Sequence, residues 1–366
     1  AIPFDGINKY LRITDIDEDS REFIPKPLVS PDGEIEEKYK LKNGDIVFAR
    51  TGASVGKTYL YNEKDGNLLF AGFLIKFSIV KGDPYFVFTQ TLKESYNKWV
   101  LKMSMRSGQP GLNAEECREL NLYFPTLPEQ TKIANFLTAV DEKTQALKKK
   151  QILLEQYKKG VMQKLFSQEL RFKDENGNDF PDWEVKKLGE VLIKNSVKNK
   201  GQKYSLVQSV SNKHGFINQD EMFEDRRIAS KDTSNYYVIE KGHFAYNPSR
   251  IDVGSLAYKF DDEVSTISPL YISFRAKKEF LNDSYLLDWF DTEQFQMQMN
   301  NSFEGSVRNT LSYDSLVKMK ILIPSLPEQT KIANFLSSID EKINHTKTQI
   351  EKMKQWKKGL LQQMFV

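Results

Sequence analysis

Cysteine, histidine and long apolar runs are scarce in this chain, and each scarcity excludes a class of protein. The single cysteine among 366 residues, Cys117, excludes a disulfide-bonded scaffold and a four-cysteine zinc site, and it is typical of a reducing cytoplasm. The three histidines, His214, His243 and His345, are far apart and show no metal-ligand spacing. No apolar run approaches the roughly 18 residues of a membrane helix, and the first residues show no signal-peptide pattern. The sequence therefore predicts a soluble intracellular protein.

An excess of charge of one sign is also lacking. The chain has 53 Lys and Arg against 50 Asp and Glu, a formal net charge of +3, which excludes a histone-like or polybasic protein but not a local basic face. Charged residues make up 28% and hydrophobic residues 39%, a normal balance for a globular protein. At 42.5 kDa the chain is long enough for two or three domains.

An internal repeat organises the chain. The eleven residues LPEQTKIANFL start at Leu127 and again at Leu326, 199 residues later, and looser similarity continues on both sides. Chance does not produce such a match, so we interpret the protein as two copies of one module.

Each copy of the repeat opens a long predicted helix. Pro128 and Pro327 suit a first helical turn, and the acidic residue that follows each of them favours a helix N-terminus. Alternating steps of four and three residues from Ile133 and from Ile332 give apolar residues at seven of ten and eight of ten positions, which is the pattern of a coiled-coil seam. Two such seams in one chain are expected to bury each other, and packing of each helix on its own domain is the alternative.

A glycine near the end of each long helix is expected to weaken it and to permit a kink. These residues are Gly160 and Gly359.

The segments before the two helices are rich in β-branched and aromatic residues interrupted by turn formers, so each is interpreted as a mixed α/β domain built around a sheet. Strands are predicted at 46–50, 57–61, 73–80, 243–247 and 270–276, and helices at 86–102 and 281–300. The Gly, Asn, Asp and Pro density of 171–184 predicts a linker between the two halves.

Several motifs resemble catalytic or cofactor-binding sequences, and each departs from the pattern it needs. GASVGKT at 52–58 has Thr51 where a phosphate-binding loop requires glycine, and strand-like sequence follows it, so we interpret it as a hairpin turn. YNPSR at 246–250 lacks the second proline and the aromatic residue of an amino-methyltransferase motif. Cys117 is expected to be a buried small residue. The sequence therefore predicts no catalytic site.

A duplicated module suits duplex DNA, which has local twofold symmetry, so one module could bind each half-site. The helices match closely between the copies, whereas the stretches from Gly44 and from Gly242 share few residues. Modules that differ where they touch bases predict an asymmetric site.

The recurring (F/I)P(T/S)LPEQTKIANFL with its long helix, and the PDWEVKKLGEV that opens the second half, resemble the specificity subunit of type I restriction–modification enzymes over essentially the whole chain. The resemblance implies a mixed α/β (α+β) fold with a pseudo-twofold repeat, in which two target-recognition domains are separated by two long helices paired as an antiparallel coiled coil. It implies a non-catalytic chain that binds double-stranded DNA at a bipartite site, with the gap set by the helices.

The resemblance also implies partners. Two methyltransferase subunits would dock on the conserved regions, and restriction (translocase and nuclease) subunits would complete the enzyme. No cofactor is expected on this chain, whereas S-adenosylmethionine, ATP and Mg are expected on the partner subunits. The expected location is the bacterial cytoplasm, in association with the nucleoid and without a membrane.

The predicted division of the chain follows from the repeat and the resemblance. It comprises recognition domain 1 at 1–124, a spacer helix at 125–168, a linker at 169–185, recognition domain 2 at 186–322 and a second spacer helix at 323–366. The counterpart of Trp183 would fall 16 residues before position zero, so about 17 to 20 residues of domain 1, including an edge strand, are expected to be missing.

Base edges require Arg, Lys, Asn or Gln at loop tips, and phosphates require positive or small polar groups. One pair of predicted loops, 106–112 and 305–311, occupies matched places in the repeat, each leading into a leucine. The candidate DNA-binding residues are Arg50, Lys57, Arg106, Ser107, Gln109, Lys213, His214, Arg226, Arg227, Ser249, Arg250, Arg308 and Asn309.

Two other functions remain as alternatives. A fused restriction–methyltransferase would transfer methyl groups by itself from S-adenosylmethionine. A coiled-coil scaffold without a nucleic-acid role would not bind DNA even with its partners present.

Overall fold

The computed structural model describes residues 1–212, 214–219, 232–303 and 309–365. The chain folds as two compact units. Unit 1 comprises Ala1–Lys150 and Thr346–Val366, and unit 2 comprises Gln151–His345. Each long helix therefore contributes one part to each unit.

Unit 1 contains short strands and three short helices in addition to its parts of the long helices. Its strands are β1 (Ile2–Pro3), β2 (Lys9–Leu11), β3 (Val29–Ser30), β4 (Asp45–Ala49), β5 (Thr58–Leu60), β6 (Leu68–Phe70) and β7 (Leu74–Ser78). Its short helices are α1 (Pro84–Gln90), α2 (Glu94–Met103) and α3 (Ala114–Arg118). Strand β4 lies between β5 and β7 and is antiparallel to both, while β2 pairs in parallel with β6 and β1 pairs with β3.

The long helices are α4 (Leu127–Phe166) and the C-terminal helix (Leu326–Gln363). Unit 2 begins its own elements with β8 (Glu184–Lys187), α5 (Leu188–Val191), β9 (Leu192–Lys194), β10 (Val207–Ser211), β11 (Gly215–Asn218), β12 (Tyr237–Ile239), β13 (His243–Tyr246), β14 (Leu256–Tyr258), β15 (Ser265–Ile267) and β16 (Ile272–Ala276). It continues with α6 (Asp283–Phe290), α7 (Glu293–Asn301), α8 (Tyr313–Leu316) and β17 (Lys320–Ile323), which makes the C-terminal helix α9.

Two four-stranded sheets form the body of unit 2. Their orders are β11-β10-β15-β12 and β14-β13-β16-β9, and β17 pairs separately with β8. A core around Phe244, Phe274, Tyr285 and Trp289 lies between the second sheet and the helices.

The five predicted strands are all present, each within a few residues of its predicted limits. The turn between β4 and β5 is the hairpin that the sequence predicts in place of a phosphate-binding loop. The prediction of a single short helix was wrong in both domains, because the structure has two helices in each place, α1 and α2 in unit 1 and α6 and α7 in unit 2. The division falls at the extended residues Lys93 and Thr292, which are the N-caps of α2 and α7, and the Thr292 side chain accepts a hydrogen bond from the amide of Phe295.

The coiled-coil seam is confirmed. None of its twenty predicted positions is exposed, and both helices continue through their glycines without interruption. In unit 1 the beginning of α4, with Leu137, shares a core with the end of α9, with Leu361, and in unit 2 the end of α4, with Leu165, shares a core with the beginning of α9, with Ile332. The two helices therefore run antiparallel.

Two ion pairs join a polar lysine of this seam to an aspartate of the facing helix, and they repeat the internal duplication. Lys357 Nζ lies 2.6 Å from Asp141 Oδ1 in unit 1, and Lys158 Nζ lies 2.7 Å from Asp340 Oδ2 in unit 2. Both lysines and both aspartates are 199 residues apart, so the same pair forms once in each unit. Within the described ranges, no helix combines the length and apolar character needed to cross a membrane.

Candidate nucleic-acid interface

In unit 1, three segments meet at one end of the β5-β4-β7 sheet. The Leu112 amide donates a hydrogen bond to the Arg50 carbonyl at 2.8 Å, and the Gly52 amide donates to the Pro110 carbonyl at 3.0 Å. On the other side, the Arg50 amide donates to the Phe73 carbonyl at 3.0 Å. The turn after β4, the loop before α3 and the turn before β7 therefore form one continuous surface, which we call site 1.

Unit 2 repeats part of this arrangement at the end of β13. The Leu311 amide donates to the Pro248 carbonyl at 3.0 Å, as Leu112 does to Arg50 in unit 1. The Ser249 hydroxyl lies 3.5 Å from the Thr310 hydroxyl, and Tyr246 Oη donates to the Leu311 carbonyl at 3.1 Å. We call this surface site 2.

Backbone hydrogen bonds hold both sites, so different side chains can be presented by one framework. Positive-φ glycines serve the turns: Gly52 has φ +80° and Gly254 has φ +85°. A side chain at either position would impose strain, since L-residues rarely adopt this conformation.

The predicted residues of the 106–112 loop are exposed beside Arg50 in site 1. Arg106 forms an ion pair with Glu116 and donates to the carbonyls of Met103 and Met105, so its guanidinium is partly committed within the protein. Gln109 Nε2 lies over Gly52, about 3.1 Å from where a Cβ would stand. Ser107 is exposed at the loop tip.

The side chains of Arg50 in site 1 and Arg250 in site 2 are available to bind a ligand. Both are exposed, and among the residues that the structure describes neither side chain makes an ion pair or a hydrogen bond. Asn309 and Ser249 are exposed beside Arg250.

The Lys57 side chain bonds to the 16–18 segment and not to the segments that form site 1. Its side chain is only 7% exposed, and Nζ donates to the Ile16 carbonyl at 3.2 Å and pairs with Glu18. The preceding Gly56 packs so closely against α2 that a Cβ there would lie 2.6 Å from Val100, which holds this turn against the domain. The position is that of a structural lysine, and we leave it out of site 1.

His214 is exposed in the turn between β10 and β11. This turn packs against site 2, because Asn212 Nδ2 donates to the Val253 carbonyl at 3.4 Å. The predicted candidates Lys213, Arg226, Arg227 and Arg308 lie outside the described residues.

Two buried glutamines, which the sequence prediction missed, join the recognition domains to the long helices. Gln130 Oε1 accepts from the Asp83 amide at 3.0 Å, and Gln329 Oε1 accepts from the Asn282 amide at 2.7 Å. Asp83 and Asn282 are the N-caps of α1 and α6. The sequence contained one indication of this role, because the glutamine is the same in both copies of the LPEQ repeat.

Two groups capable of covalent or acid–base chemistry, Cys117 and His243, are buried. Burial raises the pKa of the Cys117 thiol to about 11, which keeps it protonated and unreactive at neutral pH, and its predicted burial is confirmed. Burial also lowers the pKa of His243, whose Nδ1 lies 2.8 Å from the Glu240 carbonyl. Within the described residues, no group of three His, Cys, Asp or Glu side chains is arranged to hold a metal ion.

The fold and the two sites define a class of protein: a duplicated recognition module, in which unlike loops are presented at equivalent places beside a shared helical framework. The sequence model of the type I restriction modification DNA specificity domain matches this chain twice, at residues 28–156 and 181–355. The chain belongs to this family.

Individual proteins that resemble this chain are also specificity subunits of type I restriction–modification enzymes. The specificity subunit of the type I restriction enzyme MjaVIII from Methanocaldococcus jannaschii is 25% identical, and the match covers 93% of this chain and 83% of that protein. The S subunit of a type I restriction–modification system from M. genitalium matches in structure with a TM-score of 0.58 and 15% identity, over 100% of this chain and 90% of that one. The HsdS subunit from Thermoanaerobacter tengcongensis matches with a TM-score of 0.50 and 16% identity, over 98% and 90%.

Proposed function

We propose that this chain is the non-catalytic subunit that gives a type I restriction–modification complex its DNA sequence specificity, with site 1 and site 2 each binding one half of a bipartite, asymmetric site in double-stranded DNA. The observation that carries the proposal is the repeated framework with unlike side chains. Site 1 presents Arg50 and Gln109, whereas site 2 presents Arg250 and Asn309 and has Pro248 at the position that matches Arg50.

These side chains suit the major groove. Arginine pairs with the O6 and N7 acceptors of guanine, and asparagine or glutamine pairs with N6 and N7 of adenine. The backbone hydrogen bonds at each site hold the main chain that carries these side chains before DNA arrives, which lowers the ordering cost of binding.

The antiparallel helices support a further part of the proposal, namely that they set the gap between the half-sites. Their continuous seam and repeated ion pairs make them a stiff element in each unit. Two methyltransferase subunits and the restriction subunits would be directed to the site, with S-adenosylmethionine, ATP and Mg bound on those partners. The family to which the chain belongs supports these proposed partners. It also supports a proposed location in the cytoplasm near the nucleoid.

The experiment is methylome mapping. The chain would be co-expressed with its methyltransferase subunit in a host without DNA modification, and adenine methylation would be mapped genome-wide. A split, asymmetric motif with a fixed gap is expected. Methylation at a continuous site would contradict the two-site proposal, and no methylation by a verified complex would favour the scaffold alternative.

Matched variants separate base contact from general charge. Arg50→Ala should relax one half of the motif and Arg250→Ala the other, each by about 1–3 kcal/mol of discrimination at one base pair. Lys98→Ala and Lys241→Ala remove exposed charges from the same two units outside the sites and should leave the motif unchanged. An arginine variant that weakens binding equally on all sequences would instead mark a phosphate contact.

A further inference from the structure

Each site has a large apolar side chain that faces solvent. Phe73 is 64% exposed in the turn before β7, and Leu270 is 78% exposed in the turn before β16. Both turns adjoin the loops described above, and neither residue was among the sequence candidates.

The strand register shows that these two residues occupy the same position. Phe48 of β4 pairs with Ile75, and Tyr246 of β13 pairs with Ile272. Phe48 and Tyr246 are equivalent, because each lies two residues before the carbonyl that accepts from Leu112 or Leu311. Phe73 and Leu270 each lie two residues before the paired isoleucine, so the duplication has placed an exposed apolar group at the same point twice.

The turns that carry these side chains are fixed by hydrogen bonds. The Leu74 amide donates to the Ala71 carbonyl at 2.9 Å, and the Tyr271 amide donates to the Ser268 carbonyl at 3.0 Å. In site 1 the carbonyl of Phe73 itself accepts from the Arg50 amide. The apolar side chain therefore has a defined place beside a candidate base-binding arginine.

An exposed apolar side chain beside candidate base-binding groups is placed to contact an apolar group on the bases. The major-groove edges of the base pairs carry one such group, the 5-methyl of thymine. We propose that Phe73 and Leu270 each contact the 5-methyl group of a thymine, one in each half-site. This inference rests on the proposed function, and it gives each site a thymine contact beside its guanine- and adenine-binding side chains.

The test removes the methyl group from the DNA and the apolar group from the protein. The full chain with its methyltransferase subunits would be titrated with duplexes carrying the mapped site, in which each thymine in turn is replaced by deoxyuridine. For the wild-type chain, one replacement in each half-site should weaken binding about 4-fold, the equivalent of one buried methyl group at about 0.8 kcal/mol.

Phe73→Ala should reduce the thymine-to-uracil ratio to about 1 in one half-site and leave the other half-site unchanged, and Leu270→Ala should do the reverse. The salt dependence of binding should stay as in the wild type, because no phosphate contact is lost. Val80→Ala and Phe260→Ala are matched controls, since both residues are exposed and apolar but lie at the opposite ends of their sheets. Both controls should keep both ratios.

Three outcomes would overturn the inference. A specific site at which no deoxyuridine weakens binding refutes it while the proposed function stands. Phe73→Ala or Leu270→Ala variants that assemble poorly with methyltransferase but keep both ratios would assign the apolar groups to a protein contact. A wild-type complex without any specific site refutes the proposed function and this inference together.

Discussion

The same glutamate of the repeated LPEQ sequence lies in two different environments, and this gives a controlled prediction about stability. Glu328 is 0% exposed, and its carboxylate accepts from Arg171 Nη2 at 2.9 Å and from Trp183 Nε1 at 3.1 Å. Glu129, the first-copy counterpart, is exposed. Glu328→Ala should therefore destabilise unit 2 far more than Glu129→Ala destabilises unit 1.

The structure sets the magnitude. Breaking a buried ion pair by removing one partner costs about 3–5 kcal/mol. Arg171 is partly exposed and keeps its hydrogen bonds to the carbonyls of Phe180 and Pro181, so its charge is not stranded. We therefore expect about 2–3 kcal/mol for Glu328→Ala, below the full cost of a buried pair. Glu129→Ala should cost less than about 1 kcal/mol, the value of one acidic residue at a helix N-terminus.

The assay must resolve the two units, because a single unfolding free energy is not defined for a protein with two cores. Native-state hydrogen exchange on peptides from 326–345 and from 127–150 reports the local opening free energy of each unit. Glu328→Gln, which keeps an acceptor for Trp183 but not the charge, should give an intermediate loss. Equal losses for the two alanine variants would refute the argument that burial of this carboxylate holds the linker onto α9.

Three further predictions concern pH, helix propensity and spacing. Burial raises the pKa of Asp288 to about 7. Between about pH 4 and pH 7 the folded state therefore binds more protons than the unfolded state. The free energy of unfolding should fall as the pH rises through this range. Asp288→Asn should flatten this fall and raise the urea midpoint of unit 2 at pH 8 relative to wild type. Gly160→Ala in unit 2 and Gly359→Ala in unit 1 should each raise the local opening free energy of its own unit by about 0.5–1 kcal/mol, because both glycines are helical and a Cβ would enter open space. Native-state hydrogen exchange measures each change, and a lower opening free energy would show that the glycines serve a close packing contact. Deleting residues 143–149 together with the facing 349–355 shortens each long helix by about 10 Å, which is the length of about three base pairs of DNA. Methylome mapping should then show a shorter gap or no methylation. An unchanged gap would contradict the proposed spacing role.

The features predicted most accurately from the sequence are those that depend on the spacing of apolar residues along the chain and on the internal repeat. The repeat, both long helices, their seam and the strands near Ile46 and Phe244 follow from spacing along the chain, and the structure confirms them. The sequence predicted least what depends on distant segments. The parallel pairings of β2 with β6 and of β10 with β15 join strands far apart in sequence, which no local pattern indicates.

The candidate sites show the same division. The matched loops could be predicted because each leads into an equivalent leucine. The burial of Lys57 could not, because it depends on the packing of Gly56 against Val100 in a helix far along the chain. Phe73 and Leu270 were missed because the sequence candidates were chosen for polar groups, and their equivalence appears only once the strands are paired.

The contacts that seat each recognition domain explain how unlike sequences share one framework. Gln130 and Gln329 each accept a hydrogen bond from a main-chain amide of a recognition domain, and Gln329 also donates to the main-chain carbonyl of Phe280. The leucines of the two matched loops likewise donate main-chain amides to main-chain carbonyls, at Arg50 in one unit and at Pro248 in the other. Because every residue has a main-chain carbonyl and every residue except proline has a main-chain amide, most side chains at the sites can change without loss of these bonds. The position of each candidate site is thus set by the backbone and by the repeated helix starts, which leaves its exposed side chains free to differ.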